Sequence, residues 1–417
     1  MRLHLQITLI SAATLLAACI GNKSNSGGAP PPPTLNTMTV TVDTGPTAAT
    51  GQINHAYVTV KVCAPGSTTQ CANIDHVRLD TGSYGLRLVG SVLAAAKVTL
   101  TPEKDAQGQA IEECVGFIGG QTWGPVALAD VSMAGEVAAK VPVQIMDDAA
   151  TGAPPPAACG AAGNLINAVS GFGANGLLGV GVFIEDCGSQ CVNAATPLNW
   201  YYGCTAAGLC TAENVALANQ VTNPVAMFAA DNNGVIVSMP NLINANGDVS
   251  VTGTLTFGIA TQADNAPPVA GLTVLGADTQ TGYFNAKYSS TTYTSGALPA
   301  MLDSGTDSYH FDDPNIPACS TGLLVFVGGY YCPVTAPQTA TVVNTGVGVN
   351  NGTSTITFAM ADPSITFTPG AAAFIDLAGG HGSLLFLYGM PYFYGKKIYI
   401  GIEQRVSGSY TGPYYAH

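Results

Sequence analysis

Two short segments of this chain are built alike. Val77-Arg78-Leu79-Asp80-Thr81-Gly82-Ser83 and Ala300-Met301-Leu302-Asp303-Ser304-Gly305-Thr306 each place Leu before Asp, followed by a hydroxyl residue, Gly and a second hydroxyl residue. If the two meet, their carboxyls cannot both ionise and instead share one proton, titrating as a pair. The ionised member then activates water, and the protonated member donates to a carbonyl oxygen, which is the chemistry of peptide-bond hydrolysis. Gly82 and Gly305 would let two backbones approach closely at such a pair. Thr81 and Ser304 can hydrogen-bond across to the opposite loop, while Ser83 and Thr306 can donate to the outer carboxylate oxygens. A third Asp-Thr-Gly, at Asp43-Thr44-Gly45, is followed by Pro46 and reads as a turn.

With these two motifs the chain resembles the pepsin-type, bilobal aspartic peptidases. Gly176-Leu177-Leu178-Gly179-Val180-Gly181 is similar to the element packed beneath that family's first Asp loop, and Leu385-Phe386-Leu387-Tyr388-Gly389 to its counterpart in the second lobe. Phe228–Phe257 resembles the entry into the second lobe, and Lys397–Ile402 the last strand. The resemblance implies a mainly β fold of two barrel-like lobes, taken as 36–224 and 225–417, with a cleft between them. It implies Asp80 and Asp303 as catalytic residues, supported by Thr81, Gly82, Ser83, Ser304, Gly305 and Thr306. It also implies a peptide or protein substrate, and chemistry without cofactor or metal. The family's flap carries a Tyr over the dyad. The corresponding segment here, Cys114–Gly124, has none, and Phe117 and Trp123 are its candidates to cover the cleft. Asp307 is expected to point outward and Arg87 to be a surface charge. The run Asp80–Leu88 (DTGSYGLRL) also resembles loops of bacterial exported lipoproteins of unassigned function. That sets a second reading beside the enzyme, a non-catalytic protein holding an extended peptide or surface polymer in the same cleft.

The elements that must position these loops are strands. Of 417 residues, 47% are hydrophobic and only 9% charged, too few charges for a charge-driven disordered chain. Fifty Gly and 26 Pro punctuate alternating runs such as Val58-Thr59-Val60-Lys61-Val62 and Val251–Phe257. Short helices are expected at Val89–Ala96 and Ala212–Asn219. The net charge of −13 leaves no basic surface for nucleic acid, and a monomer is expected. No Gly-x-Ser-x-Gly, His-Glu-x-x-His or phosphate-binding Gly-Lys-Ser occurs.

Residues 1–18 have the basic start and short apolar core of a signal peptide. They end in Leu16-Ala17-Ala18-Cys19, which resembles the lipobox of bacterial lipoproteins. That likeness implies lipid attachment at Cys19, a Gly/Ser/Pro-rich tether over 19–35 and a place in the bacterial envelope. Ile20 in place of Asp points to the outer membrane. Membrane contact would be through this lipid alone. Of 11 Cys, ten remain after Cys19, and an oxidising compartment favours disulfides. Cys63/Cys71 and Cys319/Cys332 flank turn-rich loops and are expected to pair, leaving Cys114/Cys159. The pairing among Cys187, Cys191, Cys204 and Cys210 stays open, with zinc the weaker alternative because no His lies nearby and the spacing fits poorly.

Overall fold

Alternation in the sequence becomes alternation in burial. In the strand Ala56–Cys63, Thr59 and Lys61 face solvent while Val58, Val60 and Val62 are buried. In Val251–Phe257, Thr252 and Thr254 are exposed between buried neighbours. Each strand therefore turns one face to the core. Gly176–Val180, singled out by its likeness to the element beneath a first Asp loop, is buried at every residue, as a strand covered on both faces must be. The computed structural model describes residues 36–417 except 151, 161–164, 245, 269–270, 290, 296–298 and 320–328. The signal segment, Cys19 and the tether lie outside the described residues. Among those described, sixteen strands form one large mixed sheet, accompanied by two four-stranded sheets and a two-stranded one.

The fold repeats one device in its two halves. The strand Cys71–Asp80 runs parallel to Gly176–Val180, with Asp80 level with Gly179. The strand leaving the first Asp loop, Tyr84–Val89, pairs antiparallel along the other side of Gly176–Val180. Both arms of the loop are thus clamped onto one buried strand. In the second half Ala300–Leu302 runs parallel to Phe386–Tyr388, and Tyr309–His310 pairs antiparallel on that strand's far side. This duplicated clamp under two Asp loops is set in the mainly β fold expected from the sequence.

Strand pairing and a shared core join the halves. Thr37–Val42 pairs over its full length with Val251–Phe257, and through Thr41 and Val42 with Ala56–Cys63. One apolar cluster runs continuously from Val40 and Leu79 to Leu302, Phe386 and Tyr415. Each large aliphatic side chain fully buried there contributes about 1.5–3 kcal/mol.

Two local expectations turn out differently or more sharply. The first helix spans Gly90–Ala95. The second shrinks to a single 3-10 turn, Leu217–Asn219. So short a segment cannot nucleate a helix by itself, and the Val215 N–H bonds instead to the Cys191 carbonyl. The ten cysteines form five disulfides. Cys63–Cys71, Cys114–Cys159 and Cys319–Cys332 pair as expected, and the open cluster resolves into Cys187–Cys191 and Cys204–Cys210.

Asn54 ties the N-terminal segment to the second half. It is fully buried, and its φ of 53° lies in the left-handed region that Asn tolerates. Its side-chain N–H groups donate to the carbonyls of Asp307 and Phe374 at 2.7 and 2.9 Å. Its Oδ1 accepts from the Phe374 N–H and the Tyr394 hydroxyl at 2.8 and 2.9 Å. Asn54→Ala leaves all four partners buried and unpaired, so denaturant unfolding should show a loss of about 2–4 kcal/mol. A loss below half of one kcal/mol would mean that the four bonds are replaceable.

Candidate active site

The two Asp loops meet head to head. Asp80 and Asp303 are each 6% exposed, and their carboxyls are in hydrogen-bond contact. Eight hydrogen bonds around them follow an approximate two-fold relation. The Thr81 hydroxyl donates to the Leu302 carbonyl at 2.8 Å and accepts from the Ser304 N–H at 3.0 Å. Reciprocally, the Ser304 hydroxyl donates to the Leu79 carbonyl at 2.9 Å and accepts from the Thr81 N–H at 3.1 Å. The Gly82 N–H donates to Asp80 Oδ1 at 2.7 Å and the Ser83 hydroxyl to Oδ2 at 2.5 Å. The Gly305 N–H and the Thr306 hydroxyl serve Asp303 in the same way, at 2.9 and 2.6 Å.

The glycines are fixed by this closeness. A Cβ on Gly82 would stand 2.6 Å from the Asp303 carboxyl carbon, and one on Gly305 would stand 2.7 Å from that of Asp80. Any side chain at either position would push the opposite carboxyl out of the pair. The site thus admits only hydrogen at two Cα positions, a requirement of approach rather than of backbone conformation.

Burial, and after it the charge of Asp80, hold the Asp303 carboxyl well above the ordinary carboxylate range. Bonds from Thr306 and the Gly305 N–H pull the other way but do not prevail. The pair therefore retains a proton where an exposed aspartate would have lost it.

The dyad lies at the floor of a cleft of about 1350 Å³. Phe117 and Ile118, at the end of the hairpin formed by Ala110–Phe117 and Gly120–Met133, line it. Trp123 does not line the cleft. It pairs with Cys114 further down the hairpin, is buried against Tyr202 with ring centroids 5.4 Å apart, and donates its indole N–H to the Ala153 carbonyl at 2.7 Å. Of the two flap candidates, Phe117 therefore lines the cleft and Trp123 does not, because Trp123 lies further from the hairpin tip.

Arg87 is not a surface charge. It is buried and bonds Glu113 at 2.6 Å and Asp186 at 2.7 Å, with its guanidinium 5.7 Å from the Phe117 ring centre. The Tyr201 hydroxyl holds the other Asp186 oxygen at 2.5 Å. This buried cluster fastens the hairpin to the strand that leaves the first Asp loop. Asp307 is likewise not free in solvent. It is half-buried and accepts from the Tyr330 hydroxyl at 2.6 Å.

Arg78, Tyr283 and Asp186 also line the cleft, beyond the residues expected from sequence. Arg78 carried a usable signal, since it stands two residues before Asp80 and so on the same face of its strand. Tyr283 and Asp186 reach the cleft through long-range chain reversal that no local pattern marks.

The raised affinity of Asp303 for its proton has a consequence for stability. The unfolded chain releases that proton at about pH 3.9, so the stabilisation it gives is complete below that pH and is lost as pH rises through the raised folded value. Asp303→Asn, which mimics the protonated form, should therefore raise the melting temperature more at pH 7 than at pH 4. An equal shift at both would show that Asp303 is not strained by ionisation.

No curated protein matches the chain by sequence. Among solved structures, an aspartic proteinase from Irpex lacteus aligns over 91% of this chain and 96% of its own, at 15% identity and a TM-score of 0.46. The family described as "Protein of unknown function (DUF3443)" matches residues 32–417, and the chain belongs to that family.

Proposed function

We propose that this protein is an aspartic-type endopeptidase, held at a bacterial envelope by a lipid on Cys19. The observation that carries the proposal is the contact of two buried carboxyls, Asp80 and Asp303, at the floor of an open cleft. In the reaction, the ionised carboxyl takes a proton from water as the water oxygen bonds to the peptide carbonyl carbon. The protonated carboxyl donates to the carbonyl oxygen. Collapse of the tetrahedral intermediate then breaks the C–N bond, with a proton delivered to the leaving nitrogen. The singly protonated pair is the active form. Activity is favoured at acidic to mildly acidic pH and falls once the shared proton leaves.

The second reading is a binding protein that holds an extended peptide or surface polymer without cutting it. One observation favours it: the hairpin tip presents Phe117 and Ile118, neither of which offers a hydroxyl to the reacting carbonyl.

Incubation with a diverse peptide library from pH 3 to 7, read by mass spectrometry, separates the two. Cleavage should fall at least about a hundredfold in both Asp80→Asn and Asp303→Asn, with melting curves showing both variants folded. Folded wild-type protein that cuts nothing at any pH would leave only the binding reading. For the anchor, cells fed an alkyne fatty acid should label the wild-type chain and leave Cys19→Ser unlabelled and released from membranes. Labelling of both would remove Cys19 as the attachment point.

A further inference from the structure

The cleft holds a cation with no carboxylate partner. Arg78 lines it, and among the described residues no carboxylate lies within 4.0 Å of its guanidinium, whereas buried Arg87 has two. Arg78 Nη2 donates to the Phe172 carbonyl and lies 3.1 Å from His55 Nδ1. Its Nε is buried and makes no hydrogen bond. The guanidinium carbon sits 5.0 Å from the Phe172 ring centre. Phe117, Ile166, Phe172 and Leu177 belong to one apolar cluster and also line this region of the cleft. A half-buried guanidinium with no carboxylate on it, walled by apolar side chains and lining a cavity, is a receptor for an anion carried on an apolar stem.

We propose that Arg78 binds the side-chain carboxylate of a glutamate in an extended peptide lying in the cleft. The inference rests on the reading of the cleft as a peptide site, cut or uncut. His55 does not compete as a second cation, because burial and the neighbouring Arg78 charge keep it neutral. Tyr57 is the other titratable group beside it, and burial keeps its phenol protonated. Asp80, Asp303 and Asp307 act on Arg78 only from beyond ion-pairing distance. The chain's net charge of −13 opposes an acidic ligand at long range. Salt screens that repulsion within about 8 Å, whereas a contact made inside the cleft is screened far less. Glutamate fits better than aspartate because its extra methylene lies along the apolar wall.

The test uses the full chain in detergent and peptides identical except for Glu, Gln or Asp at one scanned position, each made with a free and an amidated C-terminus. Binding and cleavage are both measured. At pH 6 the Glu peptide should exceed its Gln twin by roughly 10- to 100-fold in affinity or in kcat/KM, with either C-terminus. An advantage that follows the free C-terminus instead would overturn the assignment to a side chain. Arg78→Gln should bring the Glu/Gln ratio to about one while the Gln peptide is still handled, and Arg78→Lys should keep some of the preference. Should Arg78→Gln not fold, the wild-type protein decides alone. Its Glu preference must vanish as pH falls through about 4, where the ligand carboxyl protonates, and must weaken with salt. A preference that survives at pH 3, or equal treatment of Glu and Gln at pH 6, sinks the inference. Selective binding of the Glu peptide with no cleavage would sustain it and reject the peptidase.

Discussion

The side chains of Thr81 and Ser304 each close two hydrogen bonds into the opposite loop, and these four bonds oblige two carboxyl-bearing turns to stand face to face. Nothing in them titrates. They hold whether the carboxyls carry one proton or none, so the repulsion that would drive ionised aspartates apart acts on groups that cannot retreat. The bare Cα of Gly82 and Gly305, the donors of Ser83 and Thr306, and the buried strands clamped beneath both loops are conditions for this one contact. A site that must keep like charges together needs neutral bonds to do so, and a β framework supplies them at fixed register.

How much of this could be read in advance depends on range. The Asp loops were legible because each residue type answers a need within its own turn, and Gly176–Gly181 and Leu385–Gly389 because they resemble the elements packed beneath such loops in the pepsin-type family. Charge placement was not legible. Arg87 looks like a surface residue until Glu113 and Asp186, 26 and 99 positions away, are brought to it. Trp123 and Phe117 lie on one hairpin, and only its turn at 118–119 decides which of them reaches the cleft. Asp307 depends on Tyr330, whose approach no local spacing announces.

The cleft contrasts two arginines, Arg87 fully buried and Arg78 half-buried. Arg87 is satisfied by two carboxylates and serves the architecture by pinning the hairpin. Arg78, nine residues earlier on the strand entering the Asp loop, lacks any such partner. Burying a cation costs free energy unless it is compensated. Where the chain supplies that compensation, the arginine is structural. Where it does not, the deficit is available to a ligand.

All five disulfides are short loops: sequence separations run from 4 to 45 residues, and none links the first half to the second. Oxidation therefore rivets hairpins and rims but leaves the joint across the cleft to strand pairing, packing and side-chain hydrogen bonds such as those of Thr81, Ser304 and Asn54. Mechanically, cross-links stiffen local shells on either side of the cleft while non-covalent contacts form the seam between the two Asp loops. A reducing agent would soften the shells before it touched the seam, and a force opening the cleft would meet no covalent stop.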